Sequence, residues 1–299
     1  MIKRQSPTIT QANMLFFITA VVTLTSSAFF QPKLGLGTNL WINEFVYILL
    51  PSLLLARVNG WSVEDVYKFR ETSIRNKVIS IFSGLSLWFF GSYVSILTRV
   101  FLDNKIGVLK NPEQINPSIY QSFLLIIGII VLAPICEEIL FRGFLQKAYE
   151  GYNKRYGFII TGIIFGSYHI LNGISAVLPA CIFGLGMGYL VYRTNSILTS
   201  MLFHAAVNTC AIVLGGAFKI STLVMIPVWL HIIAFVGLCS SVVLLKSLKD
   251  ENQSQECKDG VQKDNRVSGT SIVFLVLSVI FLITAGGIEI LIRLNFVKV

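Results

Sequence analysis

Apolar stretches long enough to cross a bilayer recur along the whole chain, and no other feature constrains its fold as strongly. A helix needs about 17–25 mainly apolar residues to span the hydrocarbon core. Stretches of this kind lie near 14–30, 40–58, 78–100, 118–141, 156–171, 176–192, 197–216, 222–245 and 269–292. Only 13% of residues are charged and the mean hydropathy is +0.73, which excludes an ordinary water-soluble globule. The expected fold class is all-α: a polytopic transmembrane helix bundle of about eight core spans with an extra C-terminal one. The sixth stretch, rich in glycine, is the weakest of the nine as a span.

The net charge of +9 follows from topology. With the N-terminus inside, seventeen of the 24 Lys and Arg fall on inner segments and seven on outer ones, a strong positive-inside bias. The expected location is the cell membrane, multi-pass, with a cytoplasmic N-terminus. Contact with anionic lipid fits this charge; nucleic-acid binding has no support. Lys3-Arg4 before an apolar run ending in Ser26-Ser27-Ala28 has the look of a signal peptide. Its length and the spans that follow favour an uncleaved first helix. The five cysteines are odd in number and form no CxxC framework. Cys136, beside Glu137, reads as small apolar filling.

The chain reads as one membrane domain, 1–299, with a motif-bearing core at 118–216. A polar loop at 246–268 has the composition of a disordered segment, and 269–292 is an accessory span. Residues 61–70, mixed in charge and aromatic, suggest a short helix lying on the inner surface, with a plain loop as the alternative. Glu44 and Arg57 fall near the edges of the second stretch.

The clustered polar residues are Glu137, Glu138, Arg142, His169, His204 and Asn208, all within the fourth to seventh stretches. Ionised side chains at the bilayer centre cost roughly 2.5–3.5 kcal/mol each, so an unpaired Glu-Glu-Arg group comes to about 7–10 kcal/mol. Residues four apart share one helix face, so Glu138 and Arg142 can pair. Glu137 is rotated away from that pair. Beside a like charge in apolar surroundings it should hold its proton more tightly, as a general base working near neutrality requires. Pro134 should kink this helix. Gly162 and Gly166 let a neighbour approach closely. His204 and Asn208, again four apart, can donate together to a developing oxyanion. At 1.5 Å per residue, Glu137, His169 and His204 fall roughly 13–23 Å from the predicted inner helix ends. They can meet in one buried chamber that opens inward. His231 has no polar partner at helical spacing and reads as packing.

Glu137-Glu138-x-x-x-Arg142, Phe165-x-x-x-His169 and His204-x-x-x-Asn208, in that order, resemble the CPBP family of intramembrane proteases. That family includes the type 2 CAAX prenyl endopeptidases and the Abi or bacteriocin-processing proteins. The resemblance covers about a third of the chain and implies an endopeptidase acting on a membrane-associated peptide precursor or a lipidated, prenylated protein. It implies that Glu137 activates a water with help from His169. His204 and Asn208 would stabilise the oxyanion, and Glu138 with Arg142 would support and orient the site. The ninth stretch departs from a family core of eight spans.

Three other readings compete. One Glu and two His can ligate zinc with an open position, although no HExxH is present; the preferred mechanism uses no metal or other cofactor. A proton-coupled transporter with Glu137 as its relay predicts paired repeats, and none is visible. A non-catalytic scaffold, such as an immunity protein or a regulator of a sensor kinase, would leave the intact motifs unused.

Overall fold

Polar residues at the ends of the apolar runs decide where the helices begin. Thr8, Ser73, Ser118, Asn153 and Ser268 each accept a hydrogen bond from a backbone N–H in the first turn that follows. These side chains supply partners for first-turn N–H groups that lipid cannot satisfy. In the computed structural model, residues 6–109, 117–217, 226–251 and 267–297 are described. They form α1 (Ile9–Leu34), α2 (Leu36–Asn59), the short α3 (Val63–Tyr67), α4 (Ile74–Lys105) and α5 (Ile119–Glu150). Then come α6 (Lys154–Tyr168), the 3-10 turn His169–Asn172, α7 (Ile174–Thr194), α8 (Ile197–Ala217), α9 (Val228–Lys246) and α10 (Gly269–Arg293). No strand occurs among the described residues.

Eight of these helices are long and apolar enough to cross a membrane. The exceptions are the short α3 and α6, which is the fifth of the nine stretches. Capped by Asn153 and ended by the turn at His169, it has only 15 residues, about 22 Å against a core of about 30 Å. The glycine-rich sixth stretch is a full helix of 21 residues. Its glycines bring it against α6. A Cβ on Gly184 would lie 2.6 Å from the Gly162 carbonyl oxygen, and one on Gly166 would lie 2.1 Å from Cys181 Sγ. α4 is central, packing on α7, α8 and α9, while α1 packs on α10. The α1–α10 contact is polar: Asn13 Nδ2 donates to Ser271 Oγ and to its carbonyl, both at 3.0 Å.

Two polar segments are tied to the bundle. The helix within 61–70 is α3, and protein covers part of its apolar side. Trp61, Val66 and Tyr67 are buried, and Tyr67 Oη donates to the Ser52 carbonyl at 2.6 Å. Next to it Lys68 Nζ pairs with Glu150 at 2.7 Å, both side chains under a tenth exposed. Burial pushes the Lys68 ammonium below its usual range, and the Glu150 carboxylate opposes that shift. The start of the polar loop is likewise tied down. Glu251 accepts from Thr72 Oγ1 at 2.8 Å, Asn76 Nδ2 at 3.1 Å and Ser73 N–H at 3.2 Å. Residues 252–266 of that loop lie outside the described residues.

Candidate active site

The helix that carries the two glutamates is irregular on both sides of them. Pro134 has no N–H to give, and in a regular α-helix its ring meets the carbonyl four residues back. α5 widens into π turns over Gly128–Leu132, where the Ala133 N–H reaches the Gly128 carbonyl, the kind of local widening seen at functional sites. The Ile129 carbonyl would look to residue 134 for a donor and finds a proline. Asn208 on α8 takes that place, its Nδ2 donating to Ile129 O at 2.8 Å. A second π segment, Ile139–Leu145, follows the glutamates and contains Arg142.

Glu138 is closed off. It is fully buried, and its Oε1 accepts from Arg142 Nη1 and from His204 Nδ1, each at 3.0 Å. The pairing expected from helical spacing is present, and an imidazole joins it. Arg142, also fully buried, donates through Nη2 to the Gly184 carbonyl at 3.2 Å. Its guanidinium carbon sits 4.2 Å from the Phe165 ring centre, a stacking worth more in a desolvated site than at a surface.

Glu137 is in the opposite state. It is 8% exposed, and its Oε2 is buried with no hydrogen-bond partner. His204 Nε2 approaches that oxygen to 3.9 Å, too far for a hydrogen bond. His204 therefore stands between the glutamates, with Nδ1 on Glu138 and Nε2 turned toward Glu137. His169 is set by a different bond, Nδ1 to the Phe165 carbonyl at 2.9 Å. A carbonyl only accepts, so Nδ1 carries a proton, and Nε2 of the neutral ring is an acceptor.

His169, His204 and Asn208 line one cavity of about 250 Å³, whose wall also includes Trp88, Phe183 and Met187. Glu137 is not part of that lining, and its link to the cavity is His204. No hydrogen bond joins Glu137 to His169 among the described residues. Asn208, expected to face an oxyanion, spends one amide hydrogen on Ile129 and keeps a second. No group of three or more His, Cys, Asp or Glu among the described residues is placed to hold a metal ion. His231 does have a partner, Tyr93 Oη at 2.9 Å, and the two rings meet edge to face at the α4–α9 contact.

Two residues gain a place here that the sequence reading did not give them. Phe165, quoted only as a motif position, touches Arg142 and the rings of both His169 and His204, with ring centres 4.5 and 5.8 Å away. Glu44 is not at a helix edge. α2 runs unbroken from Leu36, and a π segment over Asn43–Leu49 turns Glu44 inward. It is 3% exposed, its Oε2 lacks a partner, and its segment packs on Ala133–Glu138.

Residues 119–210 match the family described as type II CAAX prenyl endopeptidase Rce1-like. The matched stretch runs from the start of α5 into α8 and contains all six motif residues, so this part of the chain is similar to that family of membrane proteases. No curated protein and no solved structure matches the chain.

Proposed function

From a CPBP-type domain set in a polytopic helical bundle, we propose that the chain is an intramembrane endopeptidase. It hydrolyses a peptide bond of a membrane-associated protein or peptide precursor, prenylated or not, with a water activated by Glu137. The observation that carries this reading is the contrast between the two adjacent carboxylates. Glu138 accepts from Arg142 and His204 through Oε1, although its Oε2 is also buried without a partner, whereas Glu137 accepts from no described residue at all. A free, desolvated acceptor is what a general base needs.

The remaining groups take roles that their hydrogen bonds permit. His169, with its Nδ1 proton fixed on the Phe165 carbonyl, offers Nε2 to the attacking water's second hydrogen. His204 has Nδ1 on Glu138, so Nε2 becomes a donor to the oxyanion only when the ring is protonated; the Glu138 carboxylate then balances that charge. The second amide hydrogen of Asn208 completes the oxyanion site. The proton taken by Glu137 passes to the leaving amine as the tetrahedral intermediate collapses. The apolar wall of Trp88, Phe183 and Met187 suits a segment that arrives from the membrane. The protein is placed in the cell membrane with its N-terminus in the cytoplasm, as its charge asymmetry suggests.

Membrane proteomics of cells carrying the wild type or Glu137→Ala tests the proposal. Uncleaved precursors should accumulate in the variant. Identical membrane proteomes under conditions where the wild type is expressed would argue for a scaffold.

A further inference from the structure

α10 lies outside the matched residues, yet it ends against the segment that presents His169. α7 starts without a cap of its own: Gly173, with φ +108°, has no side chain to offer the first-turn N–H groups. Glu289 of α10 fills that role from 115 residues away, its Oε2 accepting from Ile174 N–H at 2.6 Å. A carboxylate suits this position, where unpaired N–H groups and the helix dipole favour negative charge. The approach is close. A Cβ on Gly286 would lie 2.7 Å from Ile170 Cδ1, and one on Gly173 would lie 3.3 Å from Glu289 Oε2.

Glu289 is itself held. Its Oε1 accepts from Arg293 Nε at 2.8 Å, one turn further on. Arg293 Nη1 then donates to Asp103 Oδ1 at 2.6 Å and to the Gly107 carbonyl at 2.9 Å, at the end of α4. Arg293 is 3% exposed in its side chain and Glu289 12%. The chain of contacts therefore runs from the central helix through α10 to Ile174, five residues after His169. The turn between them, His169–Asn172, is a single 3-10 turn. Its position depends on what fixes its two ends.

We propose that Glu289 is a positioning residue of the active site: through its hydrogen bond to Ile174 it holds the 169–174 turn, and with it the His169 imidazole. α10 is then part of the working unit rather than an accessory span. The inference rests on the proposed function only for the catalytic consequence; the placement of His169 is testable without any substrate.

The experiment uses the full chain in nanodiscs as wild type, Glu289→Ala, Glu289→Asp and Glu289→Gln. Carbethoxylation by diethyl pyrocarbonate is followed at His169, His204 and His231 by mass spectrometry, beside kcat and KM on a cleavable peptide. Ala removes the acceptor, and Asp keeps the charge but is too short to reach Ile174. Both should raise the His169 rate several-fold with His204 and His231 unchanged. Both should also lower kcat about ten- to a hundred-fold at similar KM, as expected for a misplaced catalytic group. Gln keeps an acceptor oxygen at the right reach and should restore both readouts. If Ala does not fold, Asp against Gln decides. A His169 rate that stays at the wild-type value overturns the proposal, as does a rise shared equally by all three histidines. So does a rise at His169 alone while kcat holds. If the wild type cleaves nothing, the proposed function falls, and the His169 rates alone still judge the positioning role.

Discussion

Two rows of polar groups cross the same apolar bundle and meet opposite treatment. One runs down α5 at steps of four: Glu138, Arg142, Gln146 and Glu150. Every member has a partner, from His204 and Gly184 at one end, through Gly188, to Lys68 at the other. The other row faces the cavity: His169, His204 and Asn208, with Glu137 linked through His204. There Glu137 accepts a hydrogen bond from no described residue, whereas the unpartnered atoms of the first row, Glu138 Oε2, Arg142 Nε and Gln146 Oε1, belong to side chains bonded through their other atoms. A buried polar group that is paired supports a structure, and one left unpaired costs free energy. The first row explains how the bundle tolerates charge, and the second marks where its chemistry lies.

The largest effect should come from breaking the first row. Arg142→Ala leaves Glu138 as an uncompensated buried charge, a loss of roughly 3–5 kcal/mol. Both melting temperature in detergent and cleavage should fall. The double variant Glu138→Gln with Arg142→Met should recover part of the melting temperature and none of the cleavage. Additive single effects would mean that the pair does not act as one.

That pair was legible in the sequence because helical spacing reports contacts within one helix. Contacts between helices left no such mark. Nothing in the spacing tells that His204 reaches Glu138, or that Asn208 serves the carbonyl that Pro134 leaves without a donor. The π segments shifted other residues out of place. Apolar counting starts α2 near 40 and so sets Glu44 at a helix edge, whereas the helix starts at Leu36 and turns Glu44 inward. The fifth stretch reads as one run because Ile170 and Leu171 continue it through the 3-10 turn that ends α6. The eight long helices and the motif core were readable since bilayer thickness and glycine approach act directly on composition.

Asn208 sharpens the comparison because it touches both a backbone carbonyl and the cavity. Asn208→Ala should lower kcat about a hundred- to a thousand-fold with little change in KM. It should also cost about 1–3 kcal/mol in stability, since Ile129 loses its donor. Asn208→Asp sets an acceptor against that carbonyl and should be worse in both respects. Steady-state kinetics in nanodiscs decides, and a raised KM at unchanged kcat would move Asn208 to substrate binding.

Smaller effects belong to structural bonds away from the cavity. Tyr67→Phe deletes the bond to the Ser52 carbonyl and should lower stability by about 1 kcal/mol at unchanged turnover, as read by thermal melting beside cleavage. Tyr93→Phe removes the partner of His231 at an exposed position. Its effect on stability should stay within about 0.5 kcal/mol, with no change in activity.

The central claim is that two adjacent glutamates do different work, and one paired measurement addresses it. Glu137→Gln and Glu138→Gln are compared for turnover of an identified substrate and for melting temperature under the same conditions. Glu137→Gln should abolish turnover while leaving expression, insertion and melting temperature at wild-type values. Glu138→Gln should lower the melting temperature, because Arg142 then loses its counter-charge. Wild-type turnover by Glu137→Gln, or equal loss of stability in both variants, would contradict the account.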